Sequence, residues 1–233
     1  NDTKQKLPVM LSDCTDPYQP LENEHRITRR CIETLARREF PLLIVTKSNT
    51  VIRDLDVFKQ TPTVVAVTVT TSKEEIAELI EPKAPAPQKR LSALQKIVES
   101  GIPAVARIDP ILPGINDDPV DFKNLVSSLS SVGIKQVTVS TMKLVRGAFS
   151  DFRQTHPEVW KRLSHNYVDG EWLAGYKYLH GEKRRKILDK LRPIVLESGL
   201  NFAVCREGCS ELNTRLCDGT EFCRSLLNAP ISF

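Results

Sequence analysis

The sequence predicts an α/β fold, in which parallel strands alternate with helices to form a partial barrel, followed by a helical region near the C-terminus. Short apolar runs rich in β-branched residues recur along the chain, and segments with helical periodicity separate them. Parallel neighbours need a crossover of about a dozen residues, and these helical segments have that length. No glycine-rich phosphate loop follows any of the runs, so an open dinucleotide-binding sheet fits less well.

Six strands are expected, at residues 8–13, 42–47, 63–70, 103–110, 136–141 and 201–205. Two helical faces between them are marked by Leu91, Leu94, Ile97 and Val98, and by Phe122, Leu125, Val126, Leu129 and Val132. Gly101, Gly133 and Gly199 stand where a helix would end before a strand. Six strands are fewer than the eight of a closed barrel, which favours a partial (β/α)6 TIM-like barrel.

The chain divides into two parts at the level of sequence pattern. Residues 1–149 form the predicted barrel, and residues 150–233 form a helical extension that returns to a last strand and a cysteine-rich C-terminal segment. The proline-rich stretch 81–89 is expected to be an extended connection leading into a helix at Arg90 or Leu91. Pro193 is expected to kink or end the last helix.

Composition limits the class of protein. The 233 residues are 40% hydrophobic, enough to bury one core, and the net charge of +4 is weaker than that of dedicated nucleic-acid binders. No uncharged apolar run reaches the length of a membrane span and no signal peptide opens the chain, so a cytoplasmic protein without a membrane partner is expected. Six cysteines in a reducing compartment indicate metal binding, catalysis or packing.

Polar side chains gather at the predicted carboxyl ends of the strands, where β/α barrels place their reacting groups. Arg107 and Asp109 are two residues apart on one strand and should point into the barrel together. They form either a structural salt bridge or a guanidinium site for a carboxylate. Lys47, at another strand end, is either a solvated side chain, a Schiff-base nucleophile or an anchor for a substrate carboxylate.

Five groups of residues occur in an order that resembles one known family. They are Thr15–Glu22 with the sequence TDPYQPLE, Val45–Ser48 before Arg53–Leu55, Glu81-Pro82 before Arg90-Leu91, Arg107–Pro110 with Pro113–Asp117, and more weakly Cys217–Gly219. In this order they resemble radical S-adenosylmethionine (SAM) proteins of the spore photoproduct lyase branch, often called DNA repair photolyases. Each group alone is a weak signal, and their shared order makes the resemblance specific.

The resemblance implies a partial barrel in which a [4Fe-4S] cluster and SAM generate a 5′-deoxyadenosyl radical that abstracts hydrogen from a substrate. Carried over by motif, Lys47 contacts the methionine carboxylate of SAM, Thr68 contacts its polar atoms, and Arg107 contacts the same end. Ser12 and Asp13 would line its amino end. Implied partners are an electron donor such as flavodoxin or ferredoxin and a nucleic-acid or nucleotide lesion.

Cys14 has two interpretations. The resemblance implies a hydrogen-donating cysteine close to this strand end, whereas a small, half-buried thiol that fills space explains the residue equally well.

One departure from the family concerns the cluster. The family binds it through a C-x3-C-x2-C loop after the first strand, and no such spacing occurs near the N-terminus here. The expectation is therefore a chain that lacks its first β/α unit, with the cluster ligands upstream, and that is inactive as this fragment. The alternative is a protein that has abandoned the cluster.

The remaining cysteines fall into two groups. Cys205, Cys209, Cys217 and Cys223 could supply four thiolates to a zinc ion or a second iron-sulfur cluster, with partly buried structural thiols as the competing interpretation. Cys31 lies on an apolar stripe with Ile27 and Leu35 and is expected in the core.

Two further functions compete with the radical enzyme. One is a Schiff-base lyase that uses Lys47. The other is a non-catalytic barrel that binds nucleic acid through Arg37, Arg38 and the basic run 183–186, although such side chains more often form a solvated helix face.

Overall fold

The computed structural model describes residues 6–11, 15–145, 147 and 149–223, and its main element is a six-stranded parallel sheet. Its strands run in the order β1-β2-β3-β4-β5-β9, so each strand joins the edge beside its predecessor. This order lacks the reversal that marks a doubly wound sheet, and the prediction of a partial barrel is confirmed. The strands are β1 (Val9–Leu11), β2 (Leu42–Thr46), β3 (Thr63–Thr68), β4 (Ala104–Ile111), β5 (Gln136–Thr141) and β9 (Asn201–Val204).

Helices cover one face of this sheet, and the main core lies between these two layers, while the helices at residues 74–80 and 149–163 pack in a second apolar cluster. The helices are α1 (Glu22–His25), α2 (Ile27–Arg37), α3 (Leu55–Phe58), α4 (Glu74–Ile80), α5 (Pro87–Glu99), α6 (Pro119–Val132), α7 (Phe149–Thr155), α8 (Pro157–Leu163) and α9 (Gly181–Glu197). The side chain of Asp118 caps α6 by accepting from the amides of Val120 and Asp121. Gly133 then ends this helix with a positive φ of 91°, as the sequence predicts.

One prediction about prolines is wrong and another is half excluded. Helix α5 begins at Pro87 rather than at Arg90, because the first position of a helix needs no amide hydrogen bond and therefore accepts proline. Pro193 does not end α9, which continues to Glu197, and a kink at Pro193 stays a prediction.

The prediction that Cys31 lies in the core is also wrong. Cys31 and Ile27 are exposed, because α2 turns Ile32 and Ala36 toward the sheet instead. Of the predicted apolar stripe, only Leu35 packs against the core.

A second, smaller sheet was not predicted from the sequence. It consists of three short antiparallel strands, β6 (Leu144–Val145), β7 (Glu171–Leu173) and β8 (Tyr176–Tyr178), in the order β6-β8-β7. Ala174 and Gly175 join β7 to β8 with positive φ at both positions, the backbone that a tight hairpin requires. Each of these strands has only two or three residues, too few to show the alternation of a strand. The charged and aromatic residues around them therefore favour a helical interpretation of the sequence.

The inner face of the main sheet, opposite the helices, is covered by residues 214–223, which we call the C-terminal plug. Gln136 Nε2 donates to the Leu216 carbonyl at 2.8 Å, and Thr138 Oγ1 donates to the Cys217 carbonyl at 2.7 Å. Gly219 lies so close to the sheet that a Cβ atom there would meet Val105 Cγ2 at 2.1 Å. The plug thus fills this part of the inner face and leaves the carboxyl ends of the strands for polar side chains.

Within the described part of the chain, no helix is both long and apolar enough to cross a membrane.

Candidate active site at the strand ends

The strand register brings three predicted site residues into one row on the inner face. Thr68 of β3 pairs with Arg107 of β4, and Lys47 follows Thr46, whose partner Val67 precedes Thr68. In-register residues of parallel neighbours project from the same side of a sheet. Thr68 and Arg107 therefore lie side by side on β3 and β4, and Lys47 follows at the same height, one residue beyond the end of β2.

Arg107 has two neighbours on the inner face. Its Nη2 atom donates to Asp109 Oδ2 at 2.7 Å, and its guanidinium lies near the Cys205 thiol. Burial alone would lower the pKa of Arg107, but Asp109 and Cys205 raise it above its usual value. The prediction that Arg107 and Asp109 point inward together is confirmed, and the guanidinium stays charged.

Lys47 is fixed by a buried carboxylate. Its ammonium lies 2.6 Å from Glu81 Oε1, while Arg90 Nη1 and Thr70 Oγ1 donate to Glu81 Oε2 at 2.6 and 2.8 Å. Burial would raise the pKa of Glu81, but the charges of Lys47 and Arg90 lower it. Glu81 is therefore ionised at neutral pH and orients the end of the Lys47 side chain.

The Lys47 side chain opens into the mouth of the barrel. A cavity of about 790 Å³ lies between the loop after β1 and the loop after α4, and its lining includes Asp16, Asn23, Lys47 and Glu81. A smaller cavity of about 160 Å³ shares Lys47 and Glu81 and extends toward His156. Thr68 and Arg107 line neither cavity, so the structure places Lys47 at the mouth and the other two residues deeper.

Asp16 joins two strand ends below the larger cavity. Its Oδ1 atom accepts from Thr46 Oγ1 at 2.7 Å and from the amide of Tyr18 at 2.8 Å, and its Oδ2 atom accepts from the amide of Lys47 at 2.7 Å. This carboxylate thereby fixes the backbone from which Lys47 projects.

The same loop is held by a group of polar residues that we call the Asp54 cluster: Tyr18, Glu22, Arg29, Arg53 and Asp54. Asp54 has a fully buried side chain and accepts from Tyr18 Oη at 3.0 Å, Arg29 Nη1 at 2.9 Å and Arg53 Nε at 2.8 Å. Arg53 Nη2 also donates to Glu22 Oε1 at 2.8 Å. These contacts secure the loop, so several residues of the recognised motif have a structural role.

A third buried carboxylate was missed by sequence reasoning. The side chain of Glu207 is fully buried and accepts from the amide and hydroxyl of Thr141, both at 2.8 Å, from Ser140 Oγ at 3.1 Å and from Lys143 Nζ. Arg184 Nε lies 3.9 Å from it. The one hint in the sequence is Lys143, two residues beyond the polar end of β5. Only the fold shows that this lysine lies opposite Glu207.

The four C-terminal cysteines do not converge on one point. The neighbouring Cys217 thiol and the Arg107 guanidinium lower the pKa of Cys205 to about 6, whereas the pKa of Cys217 is raised. Cys209 packs against the main core, and Cys223 packs beside Val105 under the sheet. No three metal-ligating side chains come together among the described residues, so the predicted zinc or second cluster gains no support.

Three predicted site residues lie outside the described residues, namely Ser12, Asp13 and Cys14, which follow Leu11 at the end of β1.

The basic run 183–186 is largely engaged within the protein. Lys183 pairs with Asp169 and Arg185 with Asp189, each at 2.8 Å, while Arg184 is buried. A nucleic-acid surface built on this run gains no support.

Comparison with known proteins adds a family and a set of relatives. The family model described as the radical SAM superfamily matches residues 6–126. An uncharacterised protein of Mycobacterium tuberculosis is 30% identical over 193 residues, which are 79% of this chain and 57% of that protein. A radical SAM Nalpha-GlyT isomerase of Pseudomonas phage M6 is 23% identical over 84% of this chain and 42% of its own length. The chain thus spans about half the length of the curated relatives it matches.

Solved structures show the same fold. Spore photoproduct lyase complexed with dinucleoside spore photoproduct superposes with a TM-score of 0.70 at 17% identity, over 87% of this chain and 61% of that one. A domain of pyruvate-formate lyase-activating enzyme from Bacteroides vulgatus gives a TM-score of 0.54 at 11% identity, over 84% of this chain and 98% of that one. At these identities the likeness concerns the fold alone.

Proposed function

The chain belongs to the radical SAM superfamily, and from this premise we propose that Lys47, Thr68 and Arg107 bind the methionine end of SAM. The observation that carries the proposal is the row formed by these residues on three adjacent strands. A lysine and an arginine can bind the carboxylate of SAM through their charges, and the threonine between them can hydrogen-bond the polar atoms beside that carboxylate. Glu81 orients the lysine and Asp109 orients the arginine, so neither cation has to be ordered when the ligand arrives.

The superfamily implies an iron-sulfur cluster together with SAM. The described residues do not fit the cluster, because no three thiolates or other metal ligands come together among them. We therefore assign to these residues the binding and orientation of SAM and no step of the cluster chemistry. The cluster ligands, and the reduction of SAM to a 5′-deoxyadenosyl radical by a donor of the flavodoxin or ferredoxin class, belong to the proposed activity of the whole protein.

The proposed substrate is a nucleotide or nucleic-acid lesion. The support is indirect: a structurally similar enzyme, spore photoproduct lyase, has been solved with dinucleoside spore photoproduct, and the cavity of about 790 Å³ at the mouth has the size of a small-ligand site. Cys14 remains the proposed hydrogen donor, and Ser12 and Asp13 the proposed contacts to the amino end of SAM, because they directly follow β1. Lys47 is engaged with Glu81, and no neighbour that the structure describes favours a Schiff base.

The test is SAM affinity, measured by isothermal titration calorimetry on anaerobically purified protein. Lys47→Met and Arg107→Met each remove a charged donor worth about 1.5–3 kcal/mol, so each should weaken binding roughly ten-fold or more. Lys83→Met is the matched control, because Lys83 lines the larger cavity but has no proposed contact with SAM. Its affinity should stay within about two-fold of the wild type.

Two further readouts make the result decisive. Circular dichroism should show that all three variants remain folded, and Lys47→Arg should recover part of the lost affinity because it restores the charge. Release of 5′-deoxyadenosine on reduction should fall in parallel with SAM binding. Wild-type affinity in both Lys47→Met and Arg107→Met would contradict the proposed site.

A further inference from the structure

The smaller of the two cavities at the mouth of the barrel has a largely apolar wall. It measures about 160 Å³ and lies where β4 and β5 end against α4, α7 and α8. Apolar side chains form most of its lining, namely Ile80, Pro110, Leu112, Met142, Phe152 and Val159. An apolar cavity of about 150 Å³ is large enough to bind benzene. The smaller cavity therefore has room for a single six-membered ring.

Three polar side chains complete this lining, namely Lys47, Glu81 and His156. Lys47 and Glu81 lie 2.6 Å apart as an ion pair. Because these two charges are paired with each other, the cavity needs no charge from a ligand. The same three residues also line the larger cavity, so the two cavities meet at this point.

The imidazole of His156 is held in one orientation by its neighbours. It stacks on the Phe152 ring, with the centroids 5.1 Å apart and the planes 15° apart. Its Nδ1 atom lies 2.9 Å from Thr155 Oγ1, and that hydroxyl donates its single hydrogen to the Asp151 carbonyl at 2.7 Å. Toward the imidazole the hydroxyl can therefore only accept, so Nδ1 carries the hydrogen.

The Nε2 atom of His156 is consequently an acceptor in the neutral ring, because the two nitrogens of a neutral imidazole have opposite roles. The structure gives Nε2 no hydrogen-bond partner within the described ranges 6–11, 15–145, 147 and 149–223. An acceptor beside a cavity favours a ligand that brings an N–H or O–H group to it over a ligand that brings none.

We propose that the smaller cavity binds a neutral six-membered ring of the substrate, and that Nε2 of His156 accepts a hydrogen bond from an N–H or O–H group on the edge of that ring. The rest of the substrate lies in the larger cavity, which meets the smaller one at the same three residues. The assignment of the ring to the substrate rests on the proposed function, whereas the ring site itself does not. His156 determines specificity in this proposal by selecting rings that carry a donor.

The position of the lining residues in the chain supports a substrate rather than SAM as the occupant. The radical SAM superfamily model matches residues 6–126, whereas Met142, Phe152, His156 and Val159 lie beyond this range. SAM is common to the superfamily, so its contacts are expected within the matched range. Residues outside that range are expected to bind the part of the reaction that differs between members, which is the substrate.

The experiment is an NMR titration of protein labelled with carbon-13 at the methionine methyl groups, at pH 8, which favours the neutral imidazole. The probes are phenol, a ring with a donor, and benzene, a ring without one. The chain has two methionines, and Met142→Leu assigns their signals. The Met142 signal should shift to saturation with both rings, whereas Met10, which is 46% exposed on β1 and lines neither cavity, should not shift.

His156→Phe keeps an aromatic ring next to Phe152 but removes the acceptor. It should weaken phenol binding roughly five-fold or more, because the phenol hydroxyl loses its partner, and should leave benzene within about two-fold of the wild type. Retained benzene binding also shows that the cavity of the variant is intact. His165→Phe is the matched control, because His165 is exposed and lines neither cavity, and it should bind both rings as the wild type does.

Two further measurements separate this site from the proposed SAM site. Arg107→Met should bind phenol as the wild type does, since Arg107 lines neither cavity, so a loss of SAM affinity leaves the ring site intact. Saturating SAM should also leave phenol affinity unchanged, and displacement of phenol by SAM would give the cavity to SAM and overturn the proposal. It is equally overturned if neither ring shifts Met142 in the wild type, or if His156→Phe changes the affinities for phenol and benzene by the same factor.

Discussion

Asp54 and Glu81 are both buried carboxylates that collect cations, yet they serve different parts of the barrel. Asp54 binds Tyr18, Arg29 and Arg53 within the cluster that secures the loop after β1. Glu81 binds Arg90, which is buried, and Lys47, whose side chain remains 38% exposed and lines both cavities. The first carboxylate holds the fold together, and the second positions a cation that lines a cavity.

This difference shows how a family motif should be interpreted. The residues that make the sequence recognisable include Tyr18, Glu22, Arg53 and Asp54, and in the structure these residues bind one another. Lys47 belongs to the same set of motifs but faces the cavity. A motif match therefore identifies the family. Only the structure distinguishes the motif residues that hold the loop from those that line the cavity.

The largest expected effect is on the Asp54 cluster. Asp54→Ala removes a fully buried acceptor and leaves Arg29 and Arg53 without their shared carboxylate, which should cost about 3–5 kcal/mol of unfolding free energy. Urea denaturation followed by circular dichroism measures this loss. Asp56→Ala is the control, since Asp56 pairs with the same Arg29 at 2.7 Å but is 59% exposed, and it should cost less than about 1 kcal/mol. Equal losses in the two variants would contradict the structural role of Asp54.

The next effect concerns the C-terminal plug. Gly219→Ala forces a side chain into the left-handed region at φ 72° and drives its Cβ into buried Val105, so about 2–4 kcal/mol should be lost. Gly101→Ala has a similar φ of 78° but no atom within 4 Å of the added Cβ, and about 1 kcal/mol is expected. The difference between the two unfolding free energies isolates the close approach of the plug to β4. A Gly219 variant no less stable than the Gly101 variant would mean that the plug is not packed against the sheet.

The comparison of these regions also shows what could be predicted from the sequence. The six strands of the main sheet were predicted because their apolar runs are continuous and flanked by helices of the right length. The inward pair Arg107 and Asp109 followed from the two-residue repeat of a strand. Both predictions depend on patterns that are local in the chain.

The parts that were not predicted depend on long-range contacts. Glu207 reaches Ser140 and Thr141 across more than sixty positions of sequence, and the plug reaches Gln136 across eighty. Cys205, Cys209 and Cys217 likewise fail to gather into a metal site because of how residues 205–217 fold back over the sheet. Spacing in the sequence carries no information about such a path.

Glu81 gives a smaller effect that depends on pH. Glu81→Gln leaves Lys47 and buried Arg90 without a charged partner and should cost about 2 kcal/mol at neutral pH. The pKa of Glu81 is below its ordinary value of 4.5 in the folded protein, so its contribution is fully present above about pH 4.5 and is lost as pH falls through the folded-state pKa. Unfolding curves of wild type and variant should therefore converge in acid. The exposed Glu78→Gln on α4 should follow the wild type at every pH, and a constant gap for Glu81→Gln would contradict its ionised state.

The smallest effect is on the reactivity of Cys205. Its pKa of about 6 results from the neighbouring Cys217 thiol and from Arg107, so its alkylation by iodoacetamide should rise with pH to a plateau with a midpoint near 6. Cys209 has a raised pKa and should react slowly at neutral pH in the same sample, which provides an internal control. Arg107→Met removes one of the two stabilising groups and should move the Cys205 midpoint upward by about one pH unit, equivalent to roughly 1.4 kcal/mol. Mass spectrometry of each alkylated peptide measures both midpoints. If Arg107→Met left the Cys205 midpoint unchanged, the guanidinium would not be in contact with the thiolate. Arg107 would then have to be removed from the proposed SAM site.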